Sequence, residues 1–151
     1  MTDHMVGVAY RYSRMLEMVP RAAAPNIPFY SSVSASTVAN DHSLDADYWV
    51  RNLMSPVLFS SAVQQILGDR QSRKVFVEIG PHSTLAGPLR QIFRSREDAS
   101  QDEYVATLIR GQDSTSSLLK TAGELWLNDF KPDFSAVNGT GRFLVDLPLY
   151  P

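Results

Sequence analysis

From residue 3 to 19 the apolar side chains Met5, Val8, Tyr12, Met15, Leu16 and Val19 recur at three- and four-residue spacings. That period gives a helix one apolar face, and Pro20 is positioned to end it. Ile27, Phe29 and Tyr30 come next between prolines and predict a short strand. A polar loop follows. Asp45 then suits the N-cap of a helix that carries Tyr48, Trp49, Val50 and Leu53 and stops before Pro56. Phe59, Val63, Ile66 and Leu67 share the face of a further helix, with Gly68 to close it.

The pattern then changes period. Residues 74–79 hold a continuous apolar run, Val75-Phe76-Val77-Glu78-Ile79, that predicts a buried strand. Gly80-Pro81-His82-Ser83 makes a turn into a helix over 83–94. A charged loop over 94–103 leads to a second strand at 104–109. The stretch 111–117 supplies a cap for a helix over 117–129, with Leu118, Leu119, Ala122, Leu125 and Trp126 on one side. From Phe130 prolines, glycines and scattered aromatics predict an extended tail to Pro151. The order helix, strand, helix, helix, strand, helix, strand, helix predicts an α/β class. With so few strands, the sheet reads as part of a larger one.

Composition narrows the function classes. The 151 residues are 44% hydrophobic and 20% charged, as in an ordinary globular domain with a core. The net charge is −2 and no basic run occurs, against a nucleic-acid partner. No apolar stretch approaches the ~18 residues of a membrane span. The N-terminus lacks a basic region followed by an apolar core, so no signal peptide is expected. With no cysteine there is no disulfide, cysteine-based zinc site or thiol nucleophile. A cytoplasmic setting fits.

The candidate chemistry is sparse. His4, His42 and His82 have no metal-ligand spacing, so no metal site is expected. The carboxylate pairs Asp45/Asp47, Glu97/Asp98 and Asp102/Glu103 lie in polar loops where charge stays solvated. The 80–83 turn matches neither a phosphate loop nor a dinucleotide fingerprint, and the chain holds no G-x-S-x-G nucleophile elbow. Gly80, Pro81, His82 and Ser83 are therefore read as a structural turn, with Gly80 allowing positive φ and Ser83 capping the helix.

Three segments in order carry a resemblance: "DYWVRNLMSPVLFSSAVQQIL", "VFVEIGPHSTLAGPLRQI" and "LVDLPLYP". Together they resemble the C-terminal part of the acyltransferase domain of fungal-type iterative, highly reducing polyketide synthases. The final "DLPLYP" is similar to the linker after that domain. The resemblance implies a partial α/β-hydrolase-like large subdomain over residues 1–129 and a post-acyltransferase linker over 130–151. It implies a serine nucleophile, a histidine base, malonyl-CoA as donor and a phosphopantetheinyl carrier as acceptor, with no bound cofactor.

Residue by residue, the implied machinery is incomplete. The elbow serine has no match. "TDHM" resembles the end of a family motif, His-Ser/Thr-x-His-Met, so that Met1 stands where the catalytic histidine belongs. His4 and Met5 match near-site positions of that motif. Asn52 matches the residue whose main-chain carbonyl orients the catalytic imidazole. No catalytic residue is thus expected within these 151 residues, and the chain alone is expected to be inactive. Its implied partners are the missing N-terminal acyltransferase portion, the acyl carrier protein domain and the ketosynthase domain. The rival expectations are a docking fragment for the ketosynthase, through Phe130, Phe134, Phe143, Leu147 and Tyr150, and a gene-model fragment without independent function.

Overall fold

Proline chemistry and side-chain caps set several helix ends in the computed structural model, which describes residues 3–19, 25–38, 44–68, 72–96 and 102–139. The first helix, α1, runs Asp3–Leu16, three residues short of the predicted end. Pro20 has no N–H to offer the Leu16 carbonyl, which accepts instead from Val19 N at 3.0 Å. The buried side of α1 is centred on Ala9 and includes the half-buried Met5, Tyr12 and Leu16. Val8 and Met15, expected on that side, are exposed.

Two compact units divide the chain, residues 1–72 and 73–151, where one core was expected. The first unit holds α1, a small hairpin and two further helices. The hairpin pairs β1 (Tyr30–Ser31) antiparallel with β2 (Ser36–Thr37), Tyr30 facing Thr37 and Ser31 facing Ser36. Its second strand falls in a serine-rich stretch that lacks apolar alternation. Helix α2 (Ala46–Met54) packs on α1, and α3 (Phe59–Leu67) packs on β1. Asp45 caps α2 as expected: its Oδ1 accepts from Tyr48 N at 2.8 Å. Ala62, Val63 and Leu67 are the buried residues of α3, and Gly68 follows as its C-cap.

The second unit is a strand–helix–strand–helix module. β3 (Val75–Glu78) and β4 (Glu103–Ala106) pair in parallel, in register from Val75 with Glu103 to Glu78 with Ala106. Helix α4 (Ala86–Arg94) forms the crossover, and α5 (Ser114–Leu127) follows β4; both pack against β4. Leu89, Ile92, Val105 and Ala122 are its buried apolar residues. Phe76 meets Phe93 with ring centroids 5.4 Å apart.

Both strands are shorter than predicted. Ile79, expected inside the first, is 89% exposed. The side of α5 buried in the unit also differs from the predicted one. Ser117, Thr121 and Ala122 face inward, while Leu118, Leu119, Trp126 and Leu127 are exposed. The Thr121 hydroxyl lies 3.0 Å from both the Ala106 and Ser117 carbonyls, tying α5 to β4 through a polar group rather than a leucine. The tail is not wholly extended: Phe134–Asn138 form a short helix, α6, because Asp133 Oδ1 accepts from Ser135 N and Ala136 N. Residues 140–151, including Phe143, Leu147 and Tyr150, lie outside the described residues.

Candidate functional site

Helix α2 carries Asn52, and its start is firmly held. Tyr48 is 7% exposed, and its hydroxyl lies 2.9 Å from Ser31 Oγ on β1. Ser31 Oγ also accepts from Val33 N at 3.1 Å. The Tyr48 ring meets Phe29 and Trp49 edge-on, at centroid distances of 6.4 and 5.2 Å. Trp49 Nε1 donates to the Leu44 carbonyl at 3.1 Å. A buried hydroxyl pair and an aromatic cluster thus fix α2 against the hairpin.

Asn52 lies in the last turn of α2, with its side chain exposed. The helix ends at Met54, and Ser55 turns extended at φ −94° and ψ 155°. That conformation is the one a following proline imposes. Ser55 N donates to the Arg51 carbonyl at 2.8 Å. The chain then reaches the hairpin, where Leu58 N donates to the Ser32 carbonyl at 2.7 Å. His4 and Met5 fall in the first turn of α1, the helix packed on α2. Met5 is half-buried. Met1 and the side chain of His4 lie outside the described residues.

The 80–83 turn belongs to the second unit and is built differently from expectation. Gly80 has no positive φ; among the described glycines only Gly111 and Gly139 do. Ser83 does not cap α4, whose N-cap is Leu85 without a side-chain cap. Pro88 explains the shift. A helix begun at Ser83 would require an N–H from residue 88 for the Thr84 carbonyl; beginning at Ala86 places Pro88 in the first turn, where no N–H is needed. Glu78, at the end of β3, does what Ser83 was expected to do. Its Oε1 accepts from Thr84 N at 3.1 Å and its Oε2 from Leu85 N at 3.0 Å. Tyr104 on β4 donates its hydroxyl to the same Oε2. Burial, then the hydrogen bond and charge of Glu78, push the Tyr104 phenol above the ordinary tyrosine range against a smaller opposing effect of Arg90. Thr107 Oγ1 donates to the Glu78 carbonyl at 2.9 Å and accepts from Gly80 N at 3.3 Å. His82 is half-buried in the turn that this network holds.

The resemblance links the Asn52 carbonyl to an imidazole expected at position 1, which lies outside the described residues; the helix that carries His4 and Met5 packs on the helix that carries Asn52. Sequence reasoning made no use of a long-range cap. It overlooked Glu78, which had been read only as one residue of an apolar strand. A lone acid at the carboxyl end of such a strand, just before a glycine-proline turn, is the signal that marks it.

The fold is similar to that of known acyltransferase domains. The acyltransferase domain from module 8 of the salinomycin polyketide synthase superposes with a TM-score of 0.73 over 87% of this chain and 30% of that one, at 24% identity. The acyltransferase domain of ZmaA gives 0.74 over 94% and 32%, at 19% identity. These likenesses establish the α/β fold. Residues 4–132 match the acyl transferase domain family, and the chain belongs to that family. It is 45% identical over 148 residues to the highly reducing polyketide synthase g433 of a Fusarium species, covering 98% of this chain. To the highly reducing polyketide synthase pspA of Penicillium soppii it is 47% identical over 151 residues, covering 99%. The chain spans 6% of the length of each of these two relatives.

Proposed function

We propose that these residues form the supporting wall of an acyl-transfer site in a highly reducing polyketide synthase, with the nucleophile supplied by a separate segment of the same domain. The reaction is malonyl transfer from coenzyme A to the phosphopantetheine thiol of a carrier domain. The serine oxygen attacks the thioester carbonyl, and its proton passes to the histidine. The carbon–sulfur bond breaks, and the coenzyme A thiolate leaves with that proton. The carrier thiol then attacks the acyl-serine ester, and the serine leaves protonated. Neither the elbow serine nor the catalytic histidine has a counterpart in these 151 residues. Here the Asn52 carbonyl accepts from the far N–H of the imidazole, fixing its tautomer as a carboxylate does elsewhere.

The match of nearly all of this chain to a short stretch, 6% of the length, of each of two synthases, at 45% and 47% identity, supports this reading. It also favours neighbouring ketosynthase and carrier domains as partners. The exposed Phe130 and Phe134 are suited to docking on such a neighbour, a contact that belongs to the linker beginning at residue 130. Grafting residues 2–151 of this chain into the Fusarium relative in place of its matching stretch, with the relative's own serine and histidine left intact, tests the reading. We expect the chimaera to load labelled malonate within about tenfold of the parent, while the 151-residue chain alone loads none, since loss of triad members costs about 10⁴–10⁶ in rate. A silent chimaera of normal solubility, or loading by the chain alone, contradicts it.

A further inference from the structure

A proline four residues after a helical carbonyl removes the N–H that would close on it. This happens at the end of both helices packed together in the first unit, with opposite results. In α1 the Leu16 carbonyl, four residues before Pro20, is taken by Val19 N at 3.0 Å. In α2 the Asn52 carbonyl, four residues before Pro56, has no such replacement. The corresponding donor, Ser55 N, is already committed to Arg51 at 2.8 Å. Among the described residues no turn, loop or side-chain hydrogen bond ends on the Asn52 carbonyl. The proline ring acts a second time by holding Ser55 extended, at ψ 155°, so that the helix cannot continue over the carbonyl. Beyond it, the 2.7 Å bond from Leu58 N to Ser32 pulls the chain towards the hairpin.

We infer that Pro56 is a positioning residue for acyl transfer: it keeps the Asn52 carbonyl unpaired so that an incoming imidazole N–H can use it. The inference rests on the proposed function and adds to it the residue that makes the acceptor available. A free carbonyl at a helix C-terminus also carries the negative end of the helix dipole, which favours an imidazolium. Alanine at position 56 restores an N–H and releases Ser55 to the helical region. The carbonyl is then shared between that N–H and the imidazole.

The test compares Pro56→Ala with a variant carrying lactic acid at position 56, which replaces the amide by an ester and so has neither ring nor N–H. In the synthase chimaera, Pro56→Ala should lower kcat for malonyl loading about tenfold, a part of the ~10²–10⁴ that a positioned base contributes, with KM little changed. The acidic limb of its pH profile should move to lower pH, because an imidazolium that loses an acceptor is a stronger acid. The lactic acid variant should recover most of the rate. An unchanged rate and profile in Pro56→Ala, or an ester variant as slow as the alanine one, overturns the inference. In the 151-residue chain, carbonyl-labelled Asn52 should show a through-hydrogen-bond coupling to the amide at position 56 in Pro56→Ala. An absent coupling, with that new amide exchanging freely, overturns the inference independently of any activity. Failure of the Pro56-containing chimaera to load malonate counts against the proposed function instead and leaves the coupling measurement to decide the role of Pro56.

Discussion

Ser31 and Tyr48 show how much one hydroxyl contact carries. Ser31 is 1% exposed and Tyr48 7%, so neither oxygen has ready access to water. Phenylalanine at position 48 keeps the ring contacts and removes the partner of a buried hydroxyl. We expect Tyr48→Phe to destabilise the first unit by about 1 kcal/mol, read from the denaturation midpoint. Adding Ser31→Ala should cost less than the sum of the two single changes, because both act on one bond. Tyr104 gives a pH signature. Its raised pKa means that the unfolded chain releases this proton first. The stabilisation from the Tyr104–Glu78 pair is therefore complete below the ordinary tyrosine pKa of about 10 and is lost as pH rises through the folded value. Absorbance titration, with Tyr104→Phe to assign the signal, should show one phenol ionising above the others. Glu78→Gln should bring it back towards them. A Tyr104 that titrates with the exposed tyrosines contradicts the network.

Element ends are set by caps and prolines, and their legibility differed accordingly. Asp45 announced α2 because it stands one residue before an apolar-periodic run, and the structure uses it as that cap. The start of α4 was misplaced at Ser83 because serine is a good cap in isolation. The decisive residue was Pro88, five positions on, together with a distant carboxylate at Glu78. Long-range partners of that kind leave no local pattern. The buried side of α5 was misread for a related reason: a threonine hydrogen bond ties it to β4, while Leu118, Leu119, Trp126 and Leu127 are exposed. The hairpin's second strand had no alternation to detect. At the site, the resemblance singled out Asn52 from the motif around it, and Pro56, four residues on, has no N–H to offer its carbonyl. The end of α5 offers a direct check. Phe130 N donates to the Leu125 carbonyl and Asp129 N to the Trp126 carbonyl, each at 3.1 Å, which places Asp129 in the left-handed position at φ 66°. Asp129→Gly should raise stability by about 0.5–1 kcal/mol, since glycine takes that conformation without strain. A lower denaturation midpoint in the glycine variant contradicts this account of the helix end.

Across the whole molecule, both units expose apolar residues; in the second they include residues on the side of α5 that the unit does not bury and just after β3. Leu118, Leu119, Trp126, Leu127 and Ile79 are among them. A parallel pair of strands with so little cover is typical of a larger layered sheet, since parallel sheets are normally buried on both faces. The likeness to acyltransferase domains over 30–32% of their length agrees with such a setting. The central claim, that this chain supports acyl transfer without supplying the nucleophile, is tested most directly by locating the acyl-enzyme bond. The chimaeric synthase is reacted with labelled malonyl-CoA, quenched in acid and digested, and the labelled peptide is identified by mass. We predict the label on a serine peptide from the relative's own segment and none on residues 2–151 of this chain. Label recovered on any peptide of this chain contradicts the claim.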